Sequence, residues 1–123
     1  MVEEYILETA KSKEVSQEMN ESEQLYTLGI WSAKIGKEAA LIEAWREFAQ
    51  WTAAHQPGAG EARMLQDIEH PQRFITFGPW EDTRSVQEWR QSEAFREFVA
   101  KARELCEHIQ PYTLKTVVHV ARR

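Results

Sequence analysis

The side chains best able to do chemistry are few and scattered. The four histidines, His55, His70, His108 and His119, fall on four separate predicted elements, and the tightest grouping is Cys106-Glu107-His108. A Cys-x-His pair matches no zinc spacing, and residues two apart on a helix do not share a face, so a structural metal is not expected. Pro57-Gly58-Ala59-Gly60 is the glycine-rich piece, but it leads into a strand, so it offers a nucleotide phosphate no helix N-terminus. There is no Gly-x-Ser-x-Gly elbow, and Cys106 falls on the apolar stripe of a helical pattern, where a thiol is normally packing.

What remains is the aromatic set, with five tryptophans in 123 residues. Trp45 repeats with Leu41 and Phe48 at helical spacing and reads as core. Trp51 is three residues from Phe48 and fits core or interface. Trp80 closes a predicted strand and Trp89 lies on the short helix after it, a junction where a cavity between sheet and helices would open; plain packing explains both equally well. Trp31 lies on the first strand. For proton or hydrogen-bond work the candidates are His119, whose type titrates near neutrality, and Tyr26 and Arg90, which can bond a phenolic or carbonyl oxygen. On the last strand His119 shares a face with Lys115 and Val117 and can front a subunit seam or solvent. His70 sits in a polar turn, and His55 is explained by the helix C-terminus it occupies.

These residues need elements to position them. Residues 25–34 (LYTLGIWSAK) read as a strand, with Gly29 marking a bulge or a close backbone approach. Leu41, Trp45, Phe48 and Thr52, with Ile42 and Ala49 alongside, give an amphipathic helix that ends at His55-Gln56-Pro57-Gly58. Residues 61–67 and 73–80 form a hairpin around Ile68-Glu69-His70-Pro71-Gln72, with Pro79 at the strand's end. Asp82 or Thr83 can cap a short helix with Val86 and Trp89 inward, and Ser92 can cap the next. Phe95, Phe98, Val99, Ala102, Leu105, Cys106 and Ile109 carry the strongest helical period, which Pro111 stops. Residues 112–121 (YTLKTVVHVA) read as the last strand. The order β-α-β-β-α-α-β is the split βαβ arrangement of an α+β, ferredoxin-like domain, with one sheet face covered by helices and the other bare. Burial of that bare face against its own copy predicts a symmetric homodimer.

Composition sets outer limits. Seven glutamates against Lys11 and Lys13 in residues 1–24 account for the whole net charge of −5, leaving a neutral body. The reading is therefore an acidic N-terminal arm over 1–24, on which Tyr5-Ile6-Leu7 can dock, and one domain over 25–123. A neutral body has no basic footprint, so neither nucleic acid nor an anionic membrane is an expected partner. A single cysteine precludes an internal disulfide, and no apolar run approaches the ~20 residues of a membrane span. The opening MVEEYILETAK lacks a signal-peptide layout, so the expected location is cytoplasmic.

The stretch Phe74-Ile75-Thr76-Phe77-Gly78-Pro79-Trp80-Glu81-Asp82, followed by Trp89 and Ser92-Glu93-Ala94-Phe95, resembles the antibiotic biosynthesis monooxygenase (ABM) domain, in which a strand ending in Trp-Glu precedes a short helix and a Ser/Thr-x-x-Phe helix start. Gly36-Lys37-Glu38 leading into a long helix fits as well. The resemblance covers about 25–121. It implies a ferredoxin-like subunit, two of which pair their sheets into a dimeric α/β barrel. It also implies oxidation of a small phenolic, quinol or polycyclic aromatic substrate by O2 with no cofactor. The substrate-binding set would be Trp31, Phe77, Trp80 and Trp89, with His119, Tyr26 or Arg90 as the catalytic group. Two other readings stand beside it: a non-catalytic dimeric binder of hydrophobic small molecules, and the family's haem-degrading branch. That branch uses a first-strand Asn, whereas the single asparagine here, Asn20, precedes the strand.

Overall fold

Strands β1 (Leu25–Ala33) and β3 (Arg73–Trp80) form the middle of a four-stranded sheet because both alternate residues for two different surroundings. The computed structural model describes residues 23–123; the reading of the acidic arm, including Tyr5, Ile6 and Leu7, lies outside the described residues except for Glu23 and Gln24. β1 and β3 run antiparallel, with Thr27 opposite Gly78, Gly29 opposite Thr76 and Trp31 opposite Phe74. Gly29, Trp31 and Ala33 on β1, and Phe74, Thr76, Gly78 and Trp80 on β3, are buried on one face. The intervening Tyr26, Leu28, Ile30, Ile75 and Phe77 are only half-buried. β2 (Arg63–Gln66) pairs antiparallel with the outer edge of β3, and β4 (Cys106–Lys115) lies beside β1, giving the order β2-β3-β1-β4.

Helix α1 (Glu38–His55) starts where Gly36, at φ +86°, turns the chain and its N–H donates to Glu38 Oε1. The helix buries Leu41, Ala44, Phe48 and Thr52, so Ala44 takes the place on the buried seam that the periodicity assigned to Trp45. Gln56 N–H closes onto Thr52 O before Pro57 diverts the chain. In α2 (Thr83–Arg90) the Asp82 carboxylate accepts from Ser85 N–H, and that bond, with the Ser85 hydroxyl, holds the carboxyl below its ordinary value. This cap contributes above the ordinary carboxylate pKa and is lost as pH falls through the lower folded value.

Ser92 caps α3 (Glu93–Leu105): its hydroxyl accepts from Phe95 N–H at 3.1 Å and donates to Trp89 O at 2.7 Å. One side chain thus starts α3 and fixes the end of α2. Ser92→Ala is expected to cost about 1 kcal/mol, seen as a lower urea midpoint with an unchanged slope. Helices α1 and α3 pack together over the buried sheet face, where Trp31, Leu41, Phe48, Phe74, Phe98 and Ala102 form the core.

Two boundaries differ from the sequence reading. α3 ends at Leu105, and Cys106 and Ile109 belong to β4. The backbone explains the change: Lys34 N–H donates to Leu105 O at 2.8 Å, so sheet bonding at the end of β1 captures the chain before the helical period runs out. Pro111 then lies inside β4, tolerated because β4 is at the edge of the sheet that the described residues form. The last strand accordingly begins earlier than expected and ends at Lys115, leaving 116–121 outside it.

By its internal contacts the chain divides into two units, one of Leu25–Leu114, which holds α1, α2, α3 and nearly all of the four-stranded sheet, and a second that includes Gln24 and Lys115–Arg123. In the second, Thr116 N–H donates to Gln24 O, and Val117, Val118 and Val120 are exposed. No helix among the described residues is long and apolar enough to cross a membrane.

Candidate functional site

The helices do not close completely onto the sheet. Between them lies a cavity of about 500 Å³, floored by Thr27, Gly29, Trp31 and Thr76 of β1 and β3. Trp45 and Phe48 of α1, Trp89 and Arg90 of α2, and Phe95 and Phe98 of α3 form its walls, and Glu107, Ile109 and Pro111 of β4 its outer side. A second cavity of about 310 Å³ opens next to it, bounded by Phe77, Gly78, Pro79 and Trp80 on the sheet. Thr27, Trp45, Thr76 and Trp89 border both.

The walls are rigid for identifiable reasons. Phe48 lies parallel to Phe98 with centroids 4.6 Å apart, and close to parallel with Trp89 at 5.5 Å. Phe95 meets Phe48 edge-on at 5.8 Å and Trp89 at 4.9 Å. Trp80 sits 4.8 Å from Trp89. Such contacts add about 0.5–1.5 kcal/mol per pair beyond area burial and fix ring planes.

Three of the indole N–H groups are also occupied. Trp31 donates to Thr76 Oγ1 at 3.0 Å, Trp80 to Thr27 Oγ1 at 2.9 Å, and Trp89 to Thr52 Oγ1 at 2.9 Å. The first two bonds are reciprocal. Residues 27–31 and 76–80 both read Thr-x-Gly-x-Trp, and because the strands are antiparallel each tryptophan reaches the threonine of the other copy. An indole donor tied to a threonine cannot be claimed by a ligand, so these rings present faces and edges only. A threonine hydroxyl that accepts from an indole still has its own hydrogen to donate.

Arg90 ends α2 half-buried. Its Nη1 donates to Thr113 Oγ1 at 2.8 Å, with Tyr112 O 3.5 Å from Nη2, and burial pulls the guanidinium below its usual pKa while leaving it charged. Cys106 is buried, which pushes its thiol up, partly offset by Lys34. No group of three or more His, Cys, Asp or Glu placed to hold a metal occurs among the described residues.

Of the residues singled out from sequence, the structure brings Trp31, Trp89 and Arg90 to the larger cavity and Trp80 and Trp89 to the smaller; Phe77 borders the smaller one from β3 but alternates with the inward Thr76 and Gly78 and so belongs to the other face of the sheet. Tyr26 lines neither; it alternates with the inward Thr27 on β1 and pairs with Pro79. His119 falls in the other unit, exposed beyond the end of β4. Sequence reasoning missed Trp45 as a wall, and Phe48, Phe95, Phe98, Thr27, Thr76, Arg103 and Glu107 as lining. The repeated Thr-x-Gly-x-Trp was the available signal for the threonines, since a polar residue in phase with Gly and Trp on a buried strand needs a partner.

An α+β fold with a ferredoxin-like antiparallel sheet and an aromatic cavity under its helices defines the class. The model of the antibiotic biosynthesis monooxygenase family matches residues 24–101, and the chain belongs to that family. No curated protein matches the chain. Among solved structures, a conserved protein from Methanosarcina mazei aligns with TM-score 0.73 at 14% identity, covering 80% of this chain and 98% of that one. A protein from Shewanella oneidensis aligns with TM-score 0.70 at 20% identity, over 76% and 91% of the two chains. SnoaB, a cofactor-independent oxygenase from Streptomyces nogalater, aligns with TM-score 0.68 at 15% identity, over 82% and 95%. Identities this low establish a shared fold.

Proposed function

We propose that the protein is a cofactor-independent monooxygenase that oxidises a small phenolic, quinol or polycyclic aromatic substrate with O2. The observation that carries this reading is the cavity of about 500 Å³ walled by aromatic rings, among which the Trp31 and Trp89 indole N–H groups are already bonded to threonine. It suits a flat, electron-rich ligand of two or three fused rings. Membership of the monooxygenase family and the fold shared with SnoaB support the reaction class.

The chemistry asks little of the protein. A phenolate can pass an electron to O2; recombination at the activated ring carbon gives a peroxide, and loss of water leaves a carbonyl. For a ring methylene the balance is R2CH2 + O2 → R2CO + H2O, with all four electrons supplied by the substrate. The Thr27 and Thr76 hydroxyls on the cavity floor can donate to the phenolic oxygen, which favours its ionised form. The stacked walls hold the ring and exclude water.

The test is oxygen uptake with a panel of naphthoquinols and anthrones. Wild type is expected to consume oxygen above the uncatalysed rate. Trp45→Ala, which opens the wall between the two cavities, is expected to lower turnover by about tenfold or more while remaining folded. Ligands that quench tryptophan fluorescence without any oxygen uptake would instead make the protein a binder of hydrophobic small molecules.

The proposed assembly is a cytoplasmic homodimer formed through the half-buried sheet face of Tyr26, Leu28, Ile30, Ile75 and Phe77. Light scattering should give twice the 14.4 kDa chain mass, and a monomer at micromolar concentration would overturn that assembly.

A further inference from the structure

We infer that Arg90 is the anchor for a carboxylate on the aromatic ligand, so that the larger cavity selects aromatic acids over their neutral counterparts. The inference deepens the proposed function and rests on its premise that the cavity holds the substrate's rings.

Three observations lead to it. Arg90 lines the cavity and is half-buried, yet no carboxylate lies within ion-pair distance of it among the described residues; the ion pairs there are Arg46–Glu43 and Arg84–Glu88. A cation withdrawn from water and left without a counter-charge is costly, and a ligand anion relieves that cost.

The guanidinium is also already held in place. Of its five N–H donors, one on Nη1 and one on Nη2 face Thr113 Oγ1 and Tyr112 O, both neutral acceptors on β4. These contacts hold the plane without neutralising the charge. The other three donors, the Nε–H among them, have no acceptor among the described residues. A fork with spare donors matches the two oxygens of a carboxylate better than the single oxygen of a phenolate.

The charges around the cavity point the same way. The ionised side chains lining it are Arg90, Arg103 and Glu107, a formal excess of one positive charge in a protein that is acidic overall. Glu107 and Arg103 are exposed, so water screens both, whereas Arg90 stands half-buried beside Trp89. The rest of the lining is uncharged: apart from the Thr27 and Thr76 hydroxyls on the floor it is largely aromatic and aliphatic.

Isothermal titration calorimetry with 2-naphthoate and methyl 2-naphthoate tests this directly, because the two differ in charge and share the ring system. Wild type is expected to bind the acid about tenfold more tightly than the ester, the size of a charge-assisted hydrogen bond in a partly wet site. Arg90→Gln should erase that preference and leave ester affinity unchanged; Arg90→Lys should keep only part of it. Arg84→Gln, on the same helix but exposed, should behave as wild type. Equal binding of acid and ester to wild type, or a preference that survives in Arg90→Gln, overturns the inference. A parallel titration of 2-naphthol on both sides of its pKa separates the other oxyanion. An Arg90-dependent gain for the naphtholate alone would place a phenolic oxygen on Arg90 and refute the carboxylate. Oxygen uptake is read separately. An acid preference without turnover on any quinol or anthrone would strike the oxygenase reading and leave the Arg90 site standing. Turnover without an acid preference would do the reverse.

Discussion

Phe48→Ala is expected to remove about 3–5 kcal/mol of stability, a large part of the roughly 5–15 kcal/mol that a domain of this size possesses. Phe48 is 7% exposed, yet its ring contacts Trp51, Trp89, Phe95 and Phe98 simultaneously. No other aromatic side chain here joins as many rings, and those rings come from α1, α2 and α3 alike. Truncation removes the transfer energy of a phenyl group. It also leaves a void beside a cavity that already exists, so the neighbours gain little by collapsing into it. Urea unfolding followed by tryptophan fluorescence should show the midpoint falling steeply, while Phe48→Leu, which keeps most of the volume, should lose appreciably less. If Phe48→Ala unfolded at the wild-type midpoint, the ring cluster would not be what holds the helices on the sheet.

The difference between residues that stabilise and residues that bind explains what could be read from the sequence. Helical spacing found Leu41, Phe48 and Thr52, and the caps Asp82 and Ser92 announced their helices, because those signals are local to one element. The end of α3 was misplaced because Cys106 and Ile109 satisfy a helical period and also suit the buried start of an edge strand; a backbone bond from Lys34, far away in sequence, decides between the two. Trp45 was read as core for a related reason. Ala44 holds the buried seam and Trp45 stands at its margin, where whether a side chain meets a neighbour or a void depends on what the opposite element supplies. Arg90 looked like any surface arginine at a helix end until β4 brought Thr113 and Tyr112 beside it. A cavity is the place where several elements fail to meet, and no one-dimensional pattern encodes it.

One part of the site was written in the sequence all the same, and it supports the second large prediction. Gly29 is opposite Thr76 in the sheet, and the Trp31 indole folds back across Gly29 to reach that threonine. A Cβ placed at Gly29 would lie 2.9 Å from Trp31 Nε1 and 3.0 Å from Cε2 and Cζ2, closer than real side chains approach. The ring can yield only towards the cavity, since it is 7% exposed and packs against Phe98 with centroids 5.4 Å apart. Gly29→Val should therefore cost about 1–3 kcal/mol in overpacking, with about 1 kcal/mol more if the indole is driven off Thr76. Because Trp31 and Thr76 belong to the cavity floor, the same substitution should change the near-UV circular dichroism and weaken ligand quenching at temperatures where the protein is still folded. Gly36→Ala is the comparison that isolates this mechanism. Gly36 has a positive φ of 86° and open space where a Cβ would go, so its substitution strains only the backbone. It should lower stability by about 1–2 kcal/mol while leaving the near-UV spectrum and ligand binding as in wild type. If Gly29→Val and Gly36→Ala gave the same spectrum and the same binding, Gly29 would be serving the strand alone and the reciprocal Trp-Thr lock would not shape the cavity.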